Sequence, residues 1–176
     1  MNVLVVCTGN LHRSPVAERL LAAALPGATV TSAGTQAPRG APIDAGTLEQ
    51  LRRLGASGEG HRARQLTPAM LEESDVVLVA SLDHRQQVVS LSPRVLHRTF
   101  TLLEAAALAT HGVEPEGESL ADRVRSLSRH RGTVSREQLD IDDPVGQSVA
   151  VHTRVADQIS RAVGPIADLL GRLDRA

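Results

Sequence analysis

Two patterns of hydrophobic residues alternate along the chain. Short continuous runs of aliphatic and β-branched residues are typical of strands that are covered on both faces of a sheet. These runs predict strands at residues 3–6, 29–32, 76–80 and 98–102. Between them, apolar residues recur every three or four positions, as in helices that bury one face. This second pattern predicts helices at residues 15–25, 43–54, 68–73, 83–91 and 148–173.

The order of these elements indicates the fold class. Ser14 is suited to cap a helix that begins at Pro15, and residues 26–27, Pro-Gly, end it. Residues 107–139 carry glycine, proline and several arginines, and we expect a polar loop with one helix near 119–129. Because strands alternate with helices, we predict one α/β domain over residues 1–176. We expect a three-layer α/β/α arrangement on a four-stranded parallel sheet, doubly wound and flavodoxin-like.

Composition and charge narrow the possible functions. The 176 residues are 41% hydrophobic with a formal net charge of −1, so no overall field favours nucleic acid or an anionic membrane. No apolar run is long enough to span a bilayer, and the first residues do not resemble a signal peptide. A single cysteine suits a reducing compartment. We therefore expect a cytoplasmic protein that binds neither nucleic acid nor membranes.

The first predicted strand leads into a short glycine-bearing segment, residues 7–14, which we call the cysteine loop. It reads Cys-Thr-Gly-Asn-Leu-His-Arg-Ser and is followed by the predicted helix. Ligands of parallel sheets bind beyond the carboxyl ends of the strands. Backbone N–H groups in such a loop, together with the positive end of the helix dipole, favour a phosphate. The guanidinium of Arg13 adds a fork that matches two phosphate oxygens.

The same surroundings act on the cysteine. Amide groups, helix dipole and guanidinium all favour the thiolate form of Cys7, which would be a nucleophile directed at phosphorus. Ser14 is close enough in sequence to donate a hydrogen bond to the sulfur. A buried cysteine at a strand end and a surface arginine would explain Cys7 and Arg13 alone. That alternative leaves the glycine, the asparagine and the Ser-Pro helix start around them unexplained.

The loop resembles the signature of the low molecular weight protein tyrosine phosphatases, V-C-x-G-N-x-C-R-S-P. Here residues 6–15 read V-C-T-G-N-L-H-R-S-P, and the resemblance continues through residues 32–35, 61–67 and 74–79 to Asp143-Pro144. It implies that Cys7 attacks phosphorus to form a cysteinyl-phosphate, which water then hydrolyses without a metal or other cofactor. The resemblance also implies that Arg13 is catalytic and that the loop binds the phosphate. The implied phosphate-binding residues are Thr8, Gly9, Asn10, Leu11, His12, Arg13 and Ser14.

A poor leaving group needs a proton as it departs, so a general acid is expected opposite the nucleophile. From the sequence alone, Asp142 is an alternative to Asp143, and Asp140, Asp142 and Asp143 could all be turn residues. The resemblance assigns the role to Asp143, because the family acid is the aspartate of a late Asp-Pro pair. The same resemblance gives Asn10 and Ser14 roles in shaping the loop, while His61 and Arg64 are expected to be structural.

The chain departs from the family pattern at two positions. His12 stands where relatives have a second cysteine, so oxidised Cys7 would need an external thiol for rescue. A protonated His12 would add positive charge beside Arg13, and a surface histidine without a role explains this position equally well. Val145 follows Asp-Pro where the family commonly has an aromatic residue, and the chain has no tyrosine or tryptophan. Phe100 lies in a predicted strand and is expected in the core. The sequence therefore offers no aromatic side chain to pack against the ring of a substrate.

These departures leave alternative functions open. The expected substrate is a phosphorylated protein, most simply phosphotyrosine, but a smaller, non-aromatic phosphomonoester is also compatible with Val145. An arsenate reductase of the same fold that uses an external thiol is a second alternative, although it needs no acid at Asp143. A third is a phosphate-binding module without activity, and the presence of all three chemical roles argues against it.

Overall fold

The computed structural model describes residues 1–135 and 138–174. Its centre is a parallel four-stranded sheet in the order β2-β1-β3-β4. The strands are β1 (Asn2–Cys7), β2 (Thr29–Gly34), β3 (Val76–Val79) and β4 (Thr99–Thr101). Valine, leucine and threonine dominate these strands, since branched side chains fit a pleated surface that is buried on both faces. The predicted strands and the predicted fold class are confirmed.

Seven α-helices accompany the sheet within the described residues. They are α1 (Arg13–Ala24), α2 (Ala45–Arg53), α3 (Pro68–Glu72), α4 (Leu82–Leu91), α5 (Leu102–Thr110), α6 (Leu120–Arg129) and α7 (Val149–Asp174). Short 3₁₀ segments occupy Pro93–Arg98 and Arg131–Thr133. Among the described residues, no helix combines the length and apolar character that crossing a membrane requires.

The two faces of the sheet bury separate apolar clusters. Alternate strand residues point to opposite faces, so neighbours along one strand enter different clusters. One cluster packs against α1, α2, α5, α6 and α7 and includes Val3, Val5, Leu78 and Phe100. The other packs against α3 and α4 and includes Leu4, Val6, Val77 and Val79. Phe100 is buried, as expected, with the Arg131 guanidinium 4.6 Å from its ring centre.

Two parts of the prediction are corrected. The first helix begins at Arg13, with His12 as its N-cap, rather than being capped by Ser14. Residues 107–110 complete α5 instead of belonging to a polar loop; the helix near 119–129 is present as α6. Residues 136–137 of the predicted loop, and residues 175–176 of the predicted domain, lie outside the described residues.

The fold collects its connecting loops at one edge of the sheet. Cys7 and Gly34 are paired at the carboxyl ends of β1 and β2. The segment of residues 140–148, which we call the acid loop, is joined to the end of β3 because the Ile141 N–H donates to the Ala80 carbonyl oxygen (2.9 Å). The cysteine loop, which follows β1, and the acid loop, which is hydrogen-bonded to the end of β3, therefore lie at the carboxyl ends of neighbouring strands.

Candidate active site

The backbone of the cysteine loop turns sharply at Asn10, which has a φ of +55°. Asparagine tolerates this left-handed conformation better than most residues. Its fully buried side chain donates from Nδ2 to the hydroxyls of Ser14 (3.0 Å) and Ser32 (2.7 Å) and accepts from the Arg64 backbone N–H (2.9 Å). The ring Nε2 of His61 donates to the Asn10 carbonyl oxygen (2.8 Å). These contacts fix the loop before any ligand binds.

Gly34 allows the end of β2 to lie directly against this loop. A side chain at position 34 would collide with the carbonyl oxygen of Thr8 and lie 2.9 Å from the Asn10 nitrogen. Backbone hydrogen bonds from Thr35 to Cys7 and from Gln36 to Thr8 then join the two segments (both 2.9 Å). Glycine is required here for close approach and not for an unusual φ angle.

The sulfur of Cys7 lies at the end of β1, where the loop begins. Its Sγ is 3.0 Å from the Ser14 hydroxyl oxygen, and both residues are buried. Ser14 is in the first turn of α1, so the sulfur faces a helix N-terminus and a hydroxyl group. The predicted neighbourhood of Cys7 and Ser14 is thus present in the structure.

The guanidinium of Arg13 is held by residues of both loops. Its Nη1 donates to the Ile141 carbonyl oxygen (3.1 Å), and its Nη2 donates to Asp143 Oδ2 (2.7 Å) and to the Thr8 hydroxyl (3.4 Å). Arg13 is only 5% exposed, and its Nε makes no hydrogen bond to any described residue. A buried guanidinium nitrogen without a partner is costly, and an anion bound in the loop would supply one.

The structure distinguishes Asp143 from Asp142, the alternative acid, and from the third nearby aspartate, Asp140. Asp143 contacts Arg13 at the cysteine loop, and its carboxyl is partly exposed. Asp142 pairs with Arg154 (3.0 Å) at the surface, and Asp140 accepts from the Leu82 backbone N–H (2.7 Å). Of these three, only Asp143 contacts Arg13 within the described residues.

His84 is a site neighbour that the sequence did not indicate. Its Nε2 is 2.9 Å from the Thr8 hydroxyl, and its Nδ1 is 2.6 Å from the Ser81 hydroxyl. Burial lowers the pKa of His84, and the positive charge of Arg13 lowers it further. No local pattern marks this residue, because α4 brings it to Thr8 across the sheet edge.

His12 fits neither of the two interpretations left open by the sequence, an added positive charge or a surface residue without a role, because its side chain is buried. Its Nδ1 forms a hydrogen bond with the Thr47 hydroxyl on α2 (2.8 Å). Burial lowers the pKa of His12, although the nearby Asp44 carboxylate acts in the opposite direction. The uncharged imidazole is therefore favoured, and the fixed positive charge of the loop comes from Arg13.

The surface beside Asp143 has no aromatic side chain among the described residues. Val145 is 60% exposed, and Phe100 is in the core. The Val145 backbone N–H donates to Asp143 Oδ1 (3.2 Å), so this residue orients the carboxyl through its backbone while its side chain faces solvent.

A doubly wound sheet with a cysteine, an arginine and an aspartate at its carboxyl edge is the arrangement of the cysteine-dependent phosphatase class. A family model described as low molecular weight phosphotyrosine protein phosphatase matches residues 2–112. The chain therefore belongs to this family, as the sequence predicted. The matched range includes the whole cysteine loop and ends before Asp143.

Individual relatives agree with this assignment. The low molecular weight protein-tyrosine-phosphatase Etp of Escherichia coli strain K12 is 42% identical over 98 residues, which are 56% of this chain and 66% of that relative. The probable low molecular weight protein-tyrosine-phosphatase EpsP of Ralstonia nicotianae is 39% identical over 102 residues, 58% of this chain and 70% of the relative. The matched segment thus spans about two thirds of these curated relatives.

Solved structures extend the similarity over nearly the whole chain. The tyrosine phosphatase AmsI of Erwinia amylovora is 29% identical with a TM-score of 0.74, covering 99% of this chain and 93% of that one. The YwlE arginine phosphatase from Geobacillus stearothermophilus is 27% identical with a TM-score of 0.76, covering 97% and 92%.

Proposed function

We propose that the protein is a cysteine-dependent phosphomonoester hydrolase that acts on phosphotyrosine in proteins. The observation that carries this proposal is that one loop holds both the Cys7 sulfur, 3.0 Å from the Ser14 hydroxyl, and a buried Arg13 Nε that has no partner in the described part of the chain. A phosphate bound by the loop would satisfy Arg13 and place phosphorus next to the sulfur. The backbone N–H groups of residues 8–14 would bind the remaining equatorial oxygens.

The proposed reaction has two displacements. In the first, the Cys7 thiolate forms an S–P bond while the P–O bond to the leaving group breaks, and Asp143 gives its proton to the departing oxygen. In the second, water attacks phosphorus, the S–P bond breaks and Asp143 takes a proton from the water. Arg13 and the loop amides neutralise the phosphoryl oxygens, so the scheme requires no metal ion or other cofactor.

Asp143 is proposed as the general acid on the strength of its position. Its carboxyl contacts Arg13, which the same phosphate would contact, and it is exposed enough to exchange protons with water. Asp142 forms an ion pair with Arg154 at the surface, and Asp140 accepts a hydrogen bond from the Leu82 backbone N–H at the start of α4. Those contacts give the other two aspartates structural roles.

The names of the relatives support phosphotyrosine as the substrate, since Etp and AmsI are both named tyrosine phosphatases. The exposed Val145 favours a second candidate, a non-aromatic phosphate such as phosphoarginine in a protein or a small phosphomonoester. YwlE, which shares the fold, is named an arginine phosphatase. An aromatic wall contributes only about 1 kcal/mol through ring contacts, so its loss affects substrate choice more than chemistry.

The remaining assignments belong to the same proposal. Residues 1–176 would form a single catalytic domain whose partners are its phosphorylated substrates and not nucleic acid. A cytoplasmic location suits the mechanism, because the nucleophile is active only as a reduced thiol.

The decisive experiment compares the wild-type protein with Cys7→Ser on phosphotyrosine peptides, phosphoarginine peptides and small alkyl phosphates. Cys7→Ser should reduce turnover to background for every substrate, while calorimetry still detects vanadate binding. His111→Ala, at an exposed site, is the control and should keep wild-type turnover. EDTA should not inhibit. Turnover that persists in Cys7→Ser would refute the nucleophile, and the preferred substrate would decide between the two candidates.

A further inference from the structure

Three side chains with metal-binding atoms meet where the cysteine loop borders α2 and α7. They are His12, Asp44 and His152, and one ligand atom from each lies within 4.8 Å of the other two. His12 Nδ1 is 3.8 Å from Asp44 Oδ1. The two imidazole rings meet edge to face, with their centroids 5.5 Å apart. Two imidazoles and one carboxylate form a donor set that is common around first-row transition metals.

Each of the three residues comes from a different part of the fold. His12 is the N-cap of α1, Asp44 is the N-cap of α2, and His152 lies in the first turn of α7. Asp44 already uses Oδ1 to accept from the Gly46 and Thr47 backbone N–H groups (2.9 and 3.3 Å), which fixes its carboxyl at the helix end. The cluster is therefore assembled by tertiary structure and held on regular elements, which favours a defined geometry.

Gly46 leaves open the space between two of these ligand atoms. A side chain at position 46 would lie 3.1 Å from His152 Nδ1 and 3.2 Å from Asp44 Oδ1. A narrow crevice adjoins the two imidazoles and is lined by His12, His152, Thr47, Gln50 and Pro144 together with apolar residues of α1 and α7. An ion entering the crevice would meet both imidazoles.

We propose that His12, Asp44 and His152 bind one divalent transition-metal ion, with Zn²⁺ as the representative ion and water completing its coordination. Zn–N and Zn–O distances of about 2.0–2.2 Å require ligand atoms roughly 3.3 Å apart, so ligand atoms now up to 4.8 Å apart must approach each other by up to about 1.5 Å. His152 is partly exposed and can rotate toward the fixed Asp44 carboxyl. Thr47 would give up its hydrogen bond to His12 Nδ1.

The charge of the surroundings is compatible with a cation at this position. The carboxylate of Asp44 supplies negative charge at the positive end of α2, and Asp143 balances the charge of Arg13. The site is separate from the proposed chemistry, which requires no metal. Its consequence is mechanical: a bound ion would tie the cysteine loop to the start of α7, directly after the acid loop.

The test measures binding of Zn²⁺ by calorimetry in a Cys7→Ser background at pH 7.5, because the thiol could otherwise bind the ion. One ion per chain is expected. His152→Ala should weaken binding at least about 100-fold, since even the loss of an outer partner of a metal ligand costs about 10- to 100-fold. Asp44→Asn should also weaken it strongly while preserving the helix cap, because asparagine caps as well as aspartate.

His111→Ala, which removes an exposed histidine elsewhere, is the matched control and should bind Zn²⁺ as its Cys7→Ser parent does. Co²⁺ provides an independent readout: the wild-type protein should show d–d bands without a thiolate charge-transfer band, and His152→Ala should lose the d–d bands. Equal Zn²⁺ affinity in His152→Ala and His111→Ala would overturn the proposal. Binding that disappears entirely in Cys7→Ser would also overturn it and assign the ion to the thiol. None of these readouts depends on phosphatase activity.

Discussion

The guanidinium of Arg13 would contact two negative groups, the Asp143 carboxylate before substrate binds and the phosphate afterwards. In the structure Nη2 donates to Asp143, while Nε has no partner among the described residues. A phosphate in the cysteine loop would bind Nε and compete with the carboxylate for Nη2. At the scale of single residues, Asp143 is therefore expected both to donate a proton and to occupy part of the site before substrate arrives.

Asp143→Asn should separate these two effects. Without the acid, hydrolysis of alkyl and phenyl phosphates should slow by about 10²- to 10⁴-fold, the usual contribution of a general acid. Esters with activated leaving groups need no proton and should slow much less. Steady-state kinetics over a series of leaving groups measures the difference, and equal slowing across the series would contradict the assignment.

The same variant should bind vanadate more tightly, because the competing charge has been removed. Asp143 is 45% exposed, and partly exposed pairs contribute about 0.2–1 kcal/mol, so the gain in vanadate affinity should be about 1.4- to 5-fold. Asp142→Asn, the neighbouring surface aspartate, is the control and should change neither quantity. Weaker vanadate binding in Asp143→Asn would show that the carboxyl supports the anion instead of competing with it.

At the scale of elements, the cysteine loop is supported by α4 through a chain of side-chain contacts. His84 lies between Ser81 at the start of α4 and Thr8 in the loop and is 4% exposed. Burial and then Arg13 lower its pKa, whereas Asp83, Asp143 and Asp140 act in the opposite direction. The folded protein therefore favours the uncharged imidazole of His84.

A lowered pKa has a defined consequence for stability. The unfolded chain binds a proton at His84 near pH 6.5, while the folded protein does not. The contribution of neutral His84 to the free energy of unfolding is therefore complete above that pH and is lost as the pH falls below it. Urea unfolding at several pH values should show that the free energy of unfolding decreases as the pH is lowered from 7.5 to 5.5. His84→Asn should reduce this slope by up to about 1.4 kcal/mol per pH unit.

The slope, and not the absolute stability, is the readout, because the substitution also removes hydrogen bonds. His111→Asn makes the same chemical change at an exposed site and serves as the reference variant. An unchanged slope in His84→Asn would mean that its ring protonates as readily in the folded protein as in the unfolded chain.

The strands and most helices could be predicted because their hydrophobic patterns are strong and local. Helix α5 was not predicted. One reason is that Leu102–Thr110 is nearly all apolar and shows little contrast between its faces. A signal was present, since Thr101 and Glu104 form a capping box at its start. The N-terminus of α1 was misplaced because His12 has no side chain of the usual capping type.

The candidate site was predictable where its residues are close in the sequence. Cys7, Arg13 and Ser14 lie within one loop, so their chemistry could be inferred from spacing. Asp143 could be selected only through the family resemblance, since three nearby aspartates were chemically equivalent in the sequence. The neighbours His84 and His152 were not predictable, because tertiary packing alone brings α4 and α7 to the loop.

At the scale of the whole molecule, α7 supports the sheet from one side. Its 26 residues would span about 39 Å, and its buried face packs with α1 and α5 in the larger apolar cluster. The side chain of Ile159 lies near the middle of this helix and is fully buried. The helix therefore joins the acid loop at its N-terminus to the main core.

Ile159→Ala should lower the free energy of unfolding by about 2–5 kcal/mol, as expected for a large buried side chain replaced by alanine. Urea denaturation monitored by circular dichroism measures the change. Leu91→Ala, at a site that is 42% exposed, is the matched control and should cost about 0.5 kcal/mol or less. Similar losses in the two variants would mean that the α7 interface contributes little.

The anchoring of the acid loop has a kinetic consequence. Asp140 and Ile141 are hydrogen-bonded to the start of α4 and the end of β3, and Arg13 binds the Ile141 carbonyl oxygen. The proposed proton donor and the proposed nucleophile would thus be held in one hydrogen-bonded frame before substrate arrives. Such an enzyme would need no loop closure before the reaction. The chemical steps and the release of inorganic phosphate would then limit kcat.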